Sequence, residues 1–204
     1  YFKKVDSKVY DGELPNSKVI DIFIEEKATG EISAGAGAGT SGGTIAFAIK
    51  ENNYLGKGIS LETNATLTDE SIKGLFSVTN PNYKNSDKSL NFTVEATEID
   101  RITDFGYKNN KVGFSIGTSF EYLEDLKLGI STSSYYEKID TDNTASERQK
   151  KQEGNYWDTF GVLNFDYDKR NQKFQTSEGF RGRYFVNIPV VSETNTLTNT
   201  LDYK

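Results

Sequence analysis

The sequence predicts an all-β protein, and more specifically an antiparallel up-and-down transmembrane β-barrel. Apolar and polar residues alternate with a period of two in about ten segments, as expected for strands with one apolar face. Turn residues separate successive segments, which favours a meander of neighbouring strands. Only 35% of the 204 residues are hydrophobic, yet 13% are aromatic, a balance typical of a sheet between lipid and water.

A soluble all-β sandwich or small barrel is the alternative, because such folds also have one apolar and one polar face. Two features argue against it. About ten consecutive up-and-down strands exceed what a small soluble barrel uses. Charged residues such as Glu62, Lys73 and Glu95 also recur on the polar face, where a packed interior would exclude them.

The strands are predicted in chain order. Residues 2–9 and 19–26 form a first hairpin, and residues 30–38 and 44–50 form a second one. The turn of the second hairpin is predicted at Thr40, Ser41, Gly42 and Gly43, because glycine tolerates the backbone angles that such turns need. Further strands are predicted at residues 59–67, 72–79, 90–97, 112–120, 126–131, 156–167, 180–188 and from about residue 195.

The connections are predicted to differ between the two ends of the sheet. Those at 52–57, 80–87 and 122–125 are compact, whereas those at 101–110 and 139–155 are longer and polar. Aromatic residues near the strand ends predict interfacial girdles. These residues are Tyr54, Tyr83, Tyr122, Tyr135, Tyr136, Tyr156 and Trp157.

The composition argues against several classes of function. The chain has no cysteine, histidine or methionine, which removes disulfides, thiol and imidazole catalysis and the usual zinc sites. The net charge is −6 and no basic stripe is present, so nucleic acid is not expected as a partner. We therefore expect no enzymatic activity, no catalytic residue, no metal site and no cofactor. Asp166, Asp168 and Arg170 are interpreted as a solvated turn with an ion pair.

The first arm of the second hairpin is the candidate functional segment. It has glycine and alanine where strands prefer β-branched and aromatic residues, so we expect it to pair weakly. The glycines would equally relieve crowding in a curved barrel wall, and both explanations stay open. The residues expected to form the pairing edge are Gly30, Ile32, Ser33, Ala34, Gly35, Ala36, Gly37 and Ala38.

Four segments together resemble the barrel-assembly insertase family, the BamA-type outer-membrane proteins. They are TGEISAGAGAGTSGG with IKENNYLGKG, FSVTNPNY, FDYDKRNQKFQTSEGFRGRY, and YFKKVDSKV with VIDIFIEEK. The resemblance implies that residues 1–27 are the C-terminal hairpin of the last periplasmic POTRA domain. It further implies that residues 28–204 are the N-terminal part of the barrel, with about ten of its sixteen strands. A periplasmic turn is implied at Asn52, Asn53, Tyr54, Leu55 and Gly56.

The resemblance also implies a function. Such a protein lies in the outer membrane of a Gram-negative bacterium, with its N-terminal hairpin in the periplasm. It folds and inserts client barrel proteins through a weak lateral seam at its first barrel strand. The implied partners are nascent outer-membrane proteins, the lipoproteins of the assembly complex and outer-membrane lipid. A related POTRA-barrel transporter, TamA-like or of the two-partner secretion type, is the main alternative, and a passive porin is a weaker one.

Overall fold

The computed structural model describes residues 2–14, 16–39, 42–193 and 196–204. These residues form a two-stranded sheet and a separate ten-stranded sheet. The two-stranded sheet is the antiparallel hairpin of β1 (Phe2–Asp11) and β2 (Lys18–Glu26), as predicted. Thr40 and Ser41 of the predicted turn, and the predicted start of the last strand near residue 195, lie outside the described residues.

The ten-stranded sheet is a meander in which each strand is antiparallel to the next one in the chain. It runs from β3 at one edge to β12 at the other, so the strands form one layer and not the two layers of a sandwich. This confirms the predicted up-and-down architecture. The strands are β3 (Gly30–Gly39), β4 (Gly42–Tyr54), β5 (Ile59–Thr68), β6 (Ser71–Asn80), β7 (Ser89–Arg101), β8 (Tyr107–Leu123), β9 (Leu126–Thr141), β10 (Gly154–Asp168), β11 (Arg181–Val191) and β12 (Thr198–Tyr203).

The register keeps apolar side chains together on one face of the sheet. Phe76 pairs with Val94, which in turn pairs with Phe114 on the next strand. The neighbouring residues Thr93 and Ser115 pair on the opposite, polar face. Because side chains alternate along each strand, a register that aligns apolar residues on one face also aligns polar residues on the other.

No protein layer covers the apolar face. Among the described residues, Ala145 is the only apolar side chain that is buried, at 5% exposure. Phe47, Phe114 and Trp157 are 42%, 43% and 55% exposed. A sheet with so much exposed apolar surface requires an apolar environment, which a bilayer provides. None of the helices in the described ranges has the length and hydropathy needed to cross a membrane.

The polar face is crowded where β8 meets β9. A Cβ atom on Gly113 would lie 2.2 Å from the ring of Tyr135 and 2.8 Å from the backbone oxygen of Ser134. Lys111 lies above the same ring, with its Nζ 4.2 Å from the ring centroid. On the apolar face, a Cβ on Gly74 would meet no atom within 4 Å.

The predicted aromatic girdle is only partly correct. Tyr136 and Trp157 are cross-strand partners on the apolar face, with ring centroids 6.3 Å apart. Tyr135 and Tyr156 instead face the polar side, because each is the sequence neighbour of an apolar-face residue. A second aromatic cluster, which the sequence analysis did not identify, lies at the other end of the sheet. It contains Phe165, Tyr167, Phe180, Tyr184 and Tyr203.

The two polar connections are shorter than predicted. β7 and β8 together include half of residues 101–110, and β9 continues to Thr141. The extra strand residues are charged and pair with one another. The Lys108 Nζ lies 2.6 Å from a Glu98 carboxylate oxygen, and the Lys138 Nζ lies 2.8 Å from one of Asp140. The prediction was wrong here because alternation disappears where a strand has polar residues on both faces.

Short helices lie within the remaining connections. α1 (Ile102–Phe105) ends at Gly106, and α2 (Glu147–Lys150) begins after Ser146 with a capping box. A 3-10 turn covers Tyr83–Asn85. Connections at the end nearest Gly56 cover 55–58, 81–88, 124–125 and 169–180, while those opposite include 69–70, 102–106 and 142–153. Neither end is uniformly compact, contrary to the prediction.

Replacement of Gly113 by alanine tests the packing of the polar face. We expect Gly113→Ala to lower the free energy of unfolding by roughly 1–3 kcal/mol, because the new methyl group overlaps Tyr135 and the backbone of Ser134. Gly74→Ala is the matched control and should change it by less than about 1 kcal/mol. Urea unfolding of the protein in lipid vesicles measures both values. Equal effects of the two substitutions would contradict the assignment of the crowded face.

Candidate functional site

The candidate pairing segment lies at one edge of the ten-stranded sheet. All its predicted residues fall within β3, and every residue of this strand is exposed. In the described chain β3 forms a strand ladder with β4, while its other edge faces away from the sheet. Backbone N–H and C=O groups on that edge are available to a further strand.

Side chains contribute little to the contact between β3 and β4. Ala34 and Ala36 are opposite Phe47 and Ile45, so a single methyl group meets each large side chain. On the polar face, a Cβ atom added to Gly35 would meet nothing within 4 Å, and the same holds for the glycines at 37 and 39. β3 is therefore held mainly by backbone hydrogen bonds, whereas inner strands also have interlocking side chains.

The predicted turn joins β4 to β5 and has a defined geometry. Asn52, Asn53 and Tyr54 are the last residues of β4, and Leu55 and Gly56 form the turn with φ of 55° and 70°. The Asn53 side chain accepts a hydrogen bond from the Gly58 N–H at 2.7 Å. The Asn53 carbonyl accepts a second one from the Gly56 N–H at 2.9 Å. These two bonds close the turn.

A cluster of polar contacts, here called the Thr29 cluster, joins this turn to the start of β3. It consists of Thr29, Glu51, Asn52 and Asn53. The Thr29 carbonyl accepts hydrogen bonds from the backbone N–H and the side-chain Nδ2 of Asn52, at 3.3 and 3.1 Å. The Thr29 hydroxyl donates to Glu51, which also accepts from the backbone N–H of Asn53 at 2.7 Å. This cluster could not be predicted from local sequence, because Thr29 and Glu51 are 22 residues apart.

A second polar cluster lies at the same end of the sheet, between β10 and β11. Arg181 donates to Asp166 and Arg170 donates to Asp168, both through two nitrogen atoms. The predicted ion pair is present, but it is less solvated than predicted, because the Arg170 side chain is only 15% exposed. The hydrogen bond to Asp168 raises the pKa of the Arg170 guanidinium above its usual range. This cluster fixes the start of the 169–180 connection, and the pairing segment lies at the opposite edge of the sheet.

Comparison with known proteins agrees with this architecture. The family model for the Omp85 superfamily domain matches residues 53–200. A similar solved structure is the crystal structure of BamA from Haemophilus ducreyi lacking POTRA domains 1–3, with a TM-score of 0.70 and 19% sequence identity. The match covers 93% of this chain and 39% of that chain. At this identity the likeness establishes a shared fold.

Substitution of Asn53 tests the geometry of the turn. We expect Asn53→Ala to lower the free energy of unfolding by about 1 kcal/mol, because the Gly58 N–H loses its acceptor. Asn53→Asp keeps an acceptor oxygen at the same position and should stay closer to wild type. Urea unfolding in lipid vesicles distinguishes the two variants. Loss of the same stability in both would mean that the hydrogen bond does not hold the turn.

Proposed function

The chain belongs to the Omp85 superfamily of outer-membrane β-barrel proteins, and from this premise we propose that it assembles other barrel proteins. In this proposal β3 is the first barrel strand, and a strand of a client protein adds to its free edge. The client barrel grows from that edge and enters the membrane sideways. No chemical step takes place and no cofactor takes part. The hairpin of β1 and β2 lies in the periplasm as the end of a POTRA domain.

The observation that carries the proposal is the position of β3 at the sheet edge together with its small side chains. Strand addition requires accessible backbone donors and acceptors, and β3 has a whole edge of them. Its alanines and glycines present little bulk, so backbone pairing depends weakly on the side chains of the client. Nascent outer-membrane proteins are therefore the proposed partners, alongside the assembly-complex lipoproteins and outer-membrane lipid.

The weakness of β3 also follows from physical chemistry. In this proposal the apolar face lies in lipid. There, adjacent strands are stabilised by packing between their side chains and not by the release of water. A cross-strand pair with an aromatic or β-branched residue contributes roughly 0.2–1 kcal/mol more than a pair of alanines. The alanines of β3 lack most of this contribution against Phe47 and Ile45. The same small side chains meet any strand that pairs with the other edge of β3, so that strand is also held mainly by backbone hydrogen bonds and is exchanged easily.

A transporter of the same superfamily is the second candidate, and the polar face supports it. This face has hydroxyl and charged side chains, among them Thr93, Lys73 and Glu95, and it would surround a wet lumen. A translocated polypeptide would contact that face and not the free edge of β3. The two functions therefore differ in which residues meet the partner protein.

Site-specific photo-cross-linking distinguishes the two candidates. A photoreactive residue is placed at Ala36 on β3, at Val94 on the apolar face of β7, or at Thr93 on its polar face. If the chain assembles barrels, a nascent outer-membrane protein is captured at Ala36 and not at the two β7 positions. Capture of a passing polypeptide at Thr93, without capture at Ala36, would instead support transport and contradict the proposal.

Strengthening β3 should slow client insertion. The double variant Ala34→Val, Ala36→Val places β-branched residues opposite Phe47 and Ile45. We expect the larger side chains also to strengthen the pairing of β3 with a closing strand on its other edge, by about 1–2 kcal/mol. Release of that strand, and hence client insertion, should then be slower by roughly tenfold. Ala65→Val on β5 faces the same side and serves as the control, since β5 pairs on both edges. Insertion of a client barrel into vesicles containing the full-length protein measures the rate. Wild-type rates in the double variant would contradict a role for the weakness of β3.

A further inference from the structure

The sequence of β3 does not define its own alignment with β4. From residue 33 to residue 39 it reads SAGAGAG, a repeat of two residues with alanine on one face and glycine on the other. If β3 slips by two residues along β4, each alanine of the repeat moves to the position of another alanine and each glycine to that of another glycine. Every side chain stays on the same face of the sheet. Register is weakly specified in such strands, because the side chains do not distinguish one alignment from the next.

The contacts of β3 along its length do not remove this ambiguity. Added Cβ atoms on Gly35, Gly37 and Gly39 would find nothing within 4 Å. Ile32, which precedes the repeat, is 74% exposed and therefore has few packing contacts. At the far end, Asp69 accepts a hydrogen bond from the Gly43 N–H at 3.2 Å, a side-chain contact made by β4 and not by β3.

The Thr29 cluster is the one place in the described chain where side chains fix the start of β3 against β4. Glu51 is the cross-strand partner of Gly30. One of its oxygen atoms, Oε1, accepts from both the Thr29 hydroxyl and the Asn53 backbone N–H. Its other oxygen, Oε2, would lie 3.1 Å from a Cβ on Gly30, so glycine at this position lets the carboxylate approach the strand.

These contacts define a single alignment. Asn52 binds the Thr29 carbonyl through two nitrogen atoms, and Glu51 binds the Thr29 hydroxyl. A slip of two residues would remove all of them at once, because Thr29 would no longer lie beside Glu51. Hydrogen bonds to a charged acceptor stabilise more than neutral ones, so a single carboxylate shifts the equilibrium between alignments by at least about tenfold.

We propose that Glu51 is a positioning residue that sets the register of β3. A client strand pairs with β3, so Glu51 also sets the register in which the client strand is added. This second statement rests on the proposed function, whereas the first concerns β3 and β4 alone. Because the alanine–glycine repeat has only small side chains, it does not select particular side chains of a client strand. Glu51, which lies outside the repeat, fixes the alignment that the repeat itself does not define.

Disulfide mapping in the full-length protein tests the register directly. The chain has no natural cysteine, so an introduced pair is the only one within it. Cysteines at Ala34 and Phe47 report the native alignment, and cysteines at Ala36 and Phe47 report an alignment slipped by two residues. We expect Glu51→Ala to raise the ratio of slipped to native cross-link by at least about tenfold. Thr29→Val, which removes the hydroxyl donor, should shift the ratio in the same direction.

Two control variants separate positioning from a general loss of stability. Glu51→Gln keeps Oε1 as an acceptor and should preserve the native alignment. Glu62→Ala removes a carboxylate from the neighbouring strand β5, where its side chain bonds to Asn64 and not to β3. An unchanged ratio in Glu51→Ala, or the same shift in Glu62→Ala, would overturn the assignment of Glu51.

The client part of the proposal has its own measurement. A photoreactive residue at Ala36 marks which position of an inserting client strand lies beside β3. With wild-type protein we expect capture at one client position, and with Glu51→Ala capture spread over positions two residues apart. If the wild-type protein captures no client strand, the proposed function is contradicted. The disulfide mapping would still show whether Glu51 sets the register of β3 against β4. Capture at one unchanged position in both proteins would overturn the role of Glu51 in client alignment.

Discussion

The structure depends on the pairing of backbone hydrogen-bonding groups along strand edges. In hydrocarbon an unpaired N–H or C=O group is costly, so strands in a membrane must have neighbours on both sides. Strands β4 to β11 meet this requirement within the described chain, because each lies between two others. β3 has one neighbour there, and its second edge must find a partner, either a closing strand or a guest. The function proposed for the chain is an exchange between these two partners.

Two further properties determine how readily such an exchange takes place. The inner strands are held by side-chain contacts as well as by backbone bonds, as at Tyr136 and Trp157. β3 has backbone bonds, small side chains and a group of polar contacts at its start. It can therefore release a partner from its outer edge while its polar contacts with β4 hold its first residues in place. A strand that is loose along its length and fixed at its start suits repeated pairing in one alignment.

Much of this fold could be predicted from the sequence, because one physical pattern carries the information. The alternation of apolar and polar residues predicted the number and order of the strands. β3, for example, begins at Gly30 as predicted and ends one residue later than predicted. The prediction was wrong where that pattern ends, as in the charged extensions around Lys108 and Lys138. Neighbouring tyrosines were assigned to one girdle although Tyr135 and Tyr136 point to opposite faces. The contacts of Thr29 with Glu51 could not be predicted, since they depend on the register of two strands and not on local sequence.

Hydrogen exchange during client insertion tests the central claim most directly. The full-length protein is placed in lipid vesicles, and exchange at the backbone amides of β3 and β7 is followed with and without a client arrested during insertion. A client strand that pairs with β3 should slow exchange at its outward-facing amides by at least about tenfold. The amides of β7, already paired on both sides, should not change. Arrested clients that leave exchange in β3 unaltered would contradict the account.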